Sequence, residues 1–311
     1  MRIVIMMLFL LVSFSSSAEE AGFFLPDSLD TKAEQAINSA LAGEYSKSEK
    51  LAQGLKVRAP GASCVLLNII RLSKFDDVGD TLVLHKAKES LAACKAVGVW
   101  DNLREFESGY AESVLGNSVK GALRTRSAAK KLEDSDDKDA QAFYAIYAYY
   151  IDDGLSFLPF ASDNRNSYLS LLEERTSHSK LFWALFATPL TWMYYDKKEY
   201  AKGLAVVERS LKKAPGNPVF LQMKADMLYR MGKNVEAADI YEKSAKEYIS
   251  RTGKSIRYWC AIGNLARIYM ASGDSMNAEK NKVLLQSPEF KKIERWMPES
   301  LMKDLRKKDL Y

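Results

Sequence analysis

The chain has 311 residues, 47% of them apolar and 27% charged, which is the composition of a globular protein and excludes a disordered or low-complexity chain. Its 45 Lys and Arg stand against 40 Asp and Glu, a net charge of +5, and both signs are spread along the chain, which argues against a nucleic-acid partner. Two His and three Cys leave little material for a metal site, and we expect neither a metal nor a cofactor.

Residues 1–18 carry the order of a secretory signal. Arg2 supplies a positive charge, Ile3 to Phe14 is an apolar run, and small residues at Ser16 and Ala18 set a cleavage site after Ala18. The run is too short for a membrane span, which needs about 20 residues, and no later segment of the mature chain spans. Export would place Cys64, Cys94 and Cys260 in an oxidising compartment. Cys64 and Cys94 are the better candidates for a pair, on neighbouring predicted helices. Their spacing fits neither a zinc site nor a redox motif, and we expect three buried free thiols.

The body reads as helix after helix, without alternating strand patterns. Ala33, Ala36, Ile37, Ala40 and Leu41 form an apolar stripe stopped by Gly43, and Tyr45 to Val57 makes the next helix. Ala59-Pro60-Gly61 breaks the chain, and helices follow over Ala62–Leu72, Leu82–Val97, Leu103–Leu115, Val119–Leu132 and Ala140–Ile151. The short connections make successive helices antiparallel neighbours. Asp134, Asp136, Asp137 and Asp139 cap the last of these rather than bind calcium, since the Gly and distal Glu of a calcium loop are missing. Residues 152–166 read as a loop, with Leu155 to Phe160 packed down as a plug, between an N-terminal half (19–151) and a C-terminal half (167–296). Residues 297–311 form a capping helix whose interleaved charges, Arg306 to Lys308 with Asp304 and Asp309 among them, face solvent.

The second half repeats. Self-alignment brings residues 184, 218 and 259 into correspondence, close to the period of about 34 residues that paired-helix repeats show. One unit shows Leu221, Ala225, Leu228, Gly232, Ala237 and Tyr241; the next shows Ile262, Leu265, Ala266, Tyr269, Gly273 and Ala278; an earlier one shows Tyr200, Gly203, Val207 and Pro215. These residues resemble the tetratricopeptide repeat, strongly over residues 184–286 and more weakly from 29 to 132, with Gly43, Tyr45, Ala52, Leu55 and Pro60 and then Gly109, Gly116 and Ala128 as degenerate copies. Lys224, Pro189 and Lys282 depart from the pattern. The resemblance implies an all-α solenoid whose first helices line a concave face, where members of the family bind peptides or partner proteins. Carried over by position, Trp192, Asp226 and Arg267 form one set of groove residues, and Tyr195, Tyr229 and Met270 another. Trp192 and Tyr195 serve equally well as core, whereas Asp226, Tyr229 and Arg267 are expected to be exposed.

No nucleophile signature surrounds His85 or His178, and no phosphate-binding loop is present. The expectation is a non-catalytic scaffold of a bacterial cell envelope with a protein or peptide partner. The alternative is an envelope enzyme or accessory factor acting on glycans. Self-assembly through the end repeats is a third possibility.

Overall fold

The computed structural model describes residues 22, 23, 25, 27–155 and 163–311. The signal-like segment and most of the expected plug lie outside these residues. Over the described residues the chain is all-α: α1 (Asp27–Leu41), α2 (Tyr45–Gln53), α3 (Pro60–Val78), α4 (Thr81–Ala93), α5 (Gly98–Val114), α6 (Ser118–Glu133), α7 (Lys138–Leu155), α8 (Arg165–His178), α9 (Trp183–Asp196), α10 (Tyr200–Lys213), α11 (Pro218–Arg230), α12 (Asn234–Arg251), α13 (Ile256–Ser272), α14 (Ser275–Leu285), α15 (Pro288–Ile293) and α16 (Glu299–Lys307), with a short 3-10 turn at Glu294–Trp296. From α1 to α15 each helix packs on its sequence neighbour, so the chain is a tetratricopeptide-like stack of helix pairs, and α16 packs back on α13.

Local chemistry sets the boundaries. Pro60, read as a breaker, instead opens α3 at its first turn, where a missing N–H costs nothing. Asp137 caps α7, its Oδ1 accepting from the N–H groups of Asp139 (2.7 Å) and Ala140 (3.0 Å). Asp139 turns away to Arg175 at 2.7 Å and accepts from Ser179 Oγ at 2.8 Å, which ties α7 to α8. Residues 152–155 end α7 rather than open a loop. The first core cluster runs without a break past this point, from Leu25 to Met223, and a second extends from Ala225 to Leu310.

The turn inside each clear helix pair needs one residue in the left-handed region. Gly232 and Gly273, each at φ +78°, fill that place between α11 and α12 and between α13 and α14. Between α9 and α10 the place falls to Lys198, at φ +61°. A side chain there costs about 1–2 kcal/mol. Lys198→Gly is therefore expected to raise the unfolding free energy by about 1 kcal/mol once the added freedom of the unfolded chain is counted. Urea titration checks this: the midpoint should rise at constant slope, and an unchanged or lower midpoint would refute it.

Three free thiols are not what the structure shows. Cys64, near the start of α3, and Cys94, at the end of α4, are disulfide-bonded, with Cα atoms 6.0 Å apart. The short antiparallel turn between α3 and α4 brings these two ends together, which spacing alone did not show. Cys260 is free and buried.

The stack also curls until its beginning meets its end. Arg251 at the end of α12 donates to the carbonyl oxygen of Ala42 and to Glu44, both at 3.4 Å. Phe75 of α3 meets Trp296 edge-on, with ring centroids 5.5 Å apart. At the centre of this seam lies Asp77, 1% exposed, which accepts from the Tyr45 hydroxyl at 3.0 Å and faces Arg257 Nε of α13 at 3.9 Å.

Candidate functional site

The first helices of the last three pairs, α9, α11 and α13, all contribute to one cavity. Each offers a stripe at helical spacing: Thr188, Trp192 and Tyr195 from α9; Val219, Gln222, Met223, Asp226 and Arg230 from α11; Arg257, Cys260, Asn264 and Arg267 from α13. Together with Tyr248 and one side of α16 they enclose a cavity of about 560 Å3, in the range of ligand pockets. The C-terminal helix lies across α13 because Gly263 leaves room for it: a Cβ there would stand 3.2 Å from Leu301. Leu301, Met302 and Leu305 are buried, so α16 is a fixed wall of the cavity. Its charges are not all solvated, since Asp304 accepts from Arg267 Nη1 at 2.9 Å.

Four of the six expected groove residues, Trp192, Tyr195, Asp226 and Arg267, line this cavity. Trp192 and Tyr195 meet edge-on with centroids 5.4 Å apart. Met270, 46% exposed, is not in the lining, and neither is Tyr229, whose ring carries the Arg267 guanidinium at 5.2 Å. Asp226 departs from expectation. It is 9% exposed, because α12 supplies Tyr241, whose hydroxyl donates to Oδ1 at 2.5 Å, and α13 supplies Asn264, whose amide donates to the same oxygen at 3.5 Å. Arg267 is also withdrawn, its side chain 15% exposed between Asn264 and Asp304.

The electrostatics follow from this enclosure. Burial pushes the Asp226 carboxyl up to about 6, against the lowering influence of the Tyr241 hydrogen bond and of Arg267 and Arg230. Burial likewise pushes the Cys260 thiol up to about 12, which keeps it protonated at neutral pH. An acid whose folded value exceeds its unfolded one binds more protons in the native state, so stability falls as pH rises from about 4 to about 6. Asp226→Asn is expected to remove this loss, raising stability above pH 6 by on the order of 2 kcal/mol, with no gain below about pH 4. Denaturant melts across pH check the sign, and a variant destabilised at every pH would refute it.

Gln222, Arg230, Arg257 and Asn264 are among the lining groups that the repeat register did not supply. Gln222 and Arg230 lie one helical turn either side of Asp226 and were legible as its face. Arg230 donates to the Tyr195 hydroxyl at 2.5 Å and lies over its ring, 4.9 Å from the centroid. Arg257 needed the seam with α3, which no local pattern reveals. Elsewhere, His85 and His178 are exposed, and the His178 ring hydrogen-bonds the Glu174 carbonyl of its own helix at 2.9 Å. Among the described residues no cluster of three or more His, Cys, Asp or Glu is placed to hold a metal ion, and no helix is long and apolar enough to cross a membrane.

No protein-family model matches this chain, and no curated protein matches it. Among solved structures it is similar to a Rap protein complexed with competence and sporulation factor. The TM-score is 0.54 at 15% identity, covering 90% of this chain and 80% of the other. The likeness is one of fold. The apo form of RapI superposes less well, with a TM-score of 0.40 at 12% identity over 82% of this chain and 75% of the other.

Proposed function

We propose that the chain is an exported, non-catalytic binding module of the bacterial cell envelope, which holds a peptide or a segment of a partner protein in its concave cavity. The observation that carries this is the cavity itself. It has aromatic and apolar walls at Trp192, Tyr195, Val219 and Met223, and a floor of polar groups fixed by the helices behind them. Such a surface is preformed, so binding orders little of the protein. The Rap structure of similar fold was solved in complex with competence and sporulation factor, which favours ligand capture as a use of this architecture. The Cys64–Cys94 bond and the signal-like 1–18 segment support export. The protonated Cys260 thiol and a cavity lining without either His support a role without catalysis.

A photo-crosslinking residue placed at position 195 in living cells, and in a second strain at the exposed position Met276, tests the reading. A discrete adduct is expected from 195 alone. It should fall about tenfold when Trp192→Ala and Arg230→Gln are combined, as loss of a central anchor requires. Adducts only from 276, or adducts from 195 that ignore the double substitution, would contradict it.

A further inference from the structure

We propose that the concave cavity takes a peptide bearing a carboxylate, and that the complex forms with a proton on Asp226 shared with that carboxylate. This ligand assignment rests on the concave-groove reading above and narrows it.

Four buried polar atoms of the lining have no hydrogen-bond partner among the described residues: Asp226 Oδ2, Gln222 Oε1, Arg267 Nε and the Tyr248 hydroxyl. A buried group left unpaired is costly, and four in one cavity mark the place of a ligand with complementary groups. Gln222 Oε1 can only accept, and a backbone N–H of an extended peptide suits it. The guanidinium groups call for an anion. Arg267 already holds Asp304 at 2.9 Å. The ion pair of Arg257 is the long one to Asp77, at 3.9 Å. Arg230 reaches the cavity one turn from Asp226, with the neutral Tyr195 hydroxyl as its hydrogen-bond acceptor. A planar guanidinium in this position takes a carboxylate in two parallel bonds.

That carboxylate lands beside Asp226. The groups facing Asp226 are Tyr195 of α9, Arg230 of its own helix, Tyr241 of α12, and Cys260, Asn264 and Arg267 of α13, while Glu208 of α10 is held by Lys224 at 3.1 Å. The other acid of the lining is Asp304 of α16, paired with Arg267 at 2.9 Å, so the ligand supplies the unpaired like charge. Two carboxylates in a desolvated site share a proton. Tyr241 donates to Oδ1, which leaves Oδ2 to carry the proton and donate it to the ligand. The carboxyl already sits near 6 in the free protein, so the proton is available close to neutral pH. The complex binds more protons than its parts, and affinity rises as pH falls. An ammonium ligand would show the opposite slope, and Arg230 and Arg267 on either side repel it.

The test equilibrates the full chain with three randomised N-acetylated hexapeptide pools and reads retention by mass spectrometry. One pool is Glu-rich and amidated, one is neutral with a free carboxyl terminus, and one is Lys-rich and amidated. Retention is expected from either carboxylate-bearing pool, the two arms separating a side-chain from a chain-end carboxylate, and about tenfold more at pH 5.5 than at pH 7.5. Arg230→Gln, at an exposed position, should cut retention about tenfold while the urea midpoint stays within that of an ordinary surface substitution. Asp226→Asn should bind without the pH dependence. Preference for the Lys-rich pool, or retention that grows with pH, would overturn the carboxylate assignment and leave the groove reading standing. Retention that ignores pH would overturn the shared proton. Retention of no pool would overturn both the assignment and the peptide-groove reading.

Discussion

Asp77→Ala is expected to lower the unfolding free energy by about 3 kcal/mol, the scale of breaking a buried ion pair by deleting one partner. Asp77 is 1% exposed and links three helices: α3, which carries it; α2, whose Tyr45 donates to it at 3.0 Å; and α13, whose Arg257 faces it at 3.9 Å. Removing the carboxylate takes the counter-charge from the Arg257 guanidinium and leaves the Tyr45 hydroxyl only the Ser73 carbonyl, at 3.3 Å. The loss should exceed that of Asp77→Asn, which keeps an acceptor for Tyr45. The seam closes the stack beside the cavity, so hydrogen exchange should quicken at residues 42–44 and 251–252 before it does in α5 or α6. Urea unfolding measures the total. A loss below about 1 kcal/mol, typical of an exposed pair, would mean that the seam contributes little to holding the stack closed.

The second large effect concerns the disulfide. The Cys64–Cys94 bond closes a loop with a sequence separation of 30. Loop-closure entropy for that length corresponds to about 3–4 kcal/mol. Cys64→Ser with Cys94→Ser should lose roughly that amount, and dithiothreitol should lower the urea midpoint of the wild type to match the double variant. An unchanged midpoint under reducing conditions would show that the bond does not constrain the unfolded chain. It would also weaken one of the two supports for export.

The helices were legible because helical periodicity and turn residues are local. Gly43, Gly232 and Gly273 each mark a turn within a pair, and the spacing of Leu221, Ala225 and Leu228 describes one helix face. Lys198 escaped because the sequence offers no Gly at a turn whose backbone still needs one. The disulfide, the Asp77 seam and the wall made by α16 escaped for another reason. Each joins residues far apart in the chain, and a periodic pattern says which face is buried but not what covers it. Asp226 shows the difference plainly. Its position in the repeat put it on the face expected to be concave, and it does line the cavity. Its burial came from Tyr241, Asn264 and the α16 wall, which together turned an expected surface charge into an enclosed acid.

The most direct measurement is a crystal structure of the full chain with a carboxylate-bearing hexapeptide selected from the pools. Peptide density is expected in the cavity, with its backbone beside Gln222, an apolar side chain against Trp192 and Met223, and a carboxylate between Arg230 and Asp226. Peptide density in another surface groove instead, lined by Glu242, Ile249, Tyr258 and Tyr269 between α12 and α14, would contradict the assignment of the concave face as the binding site.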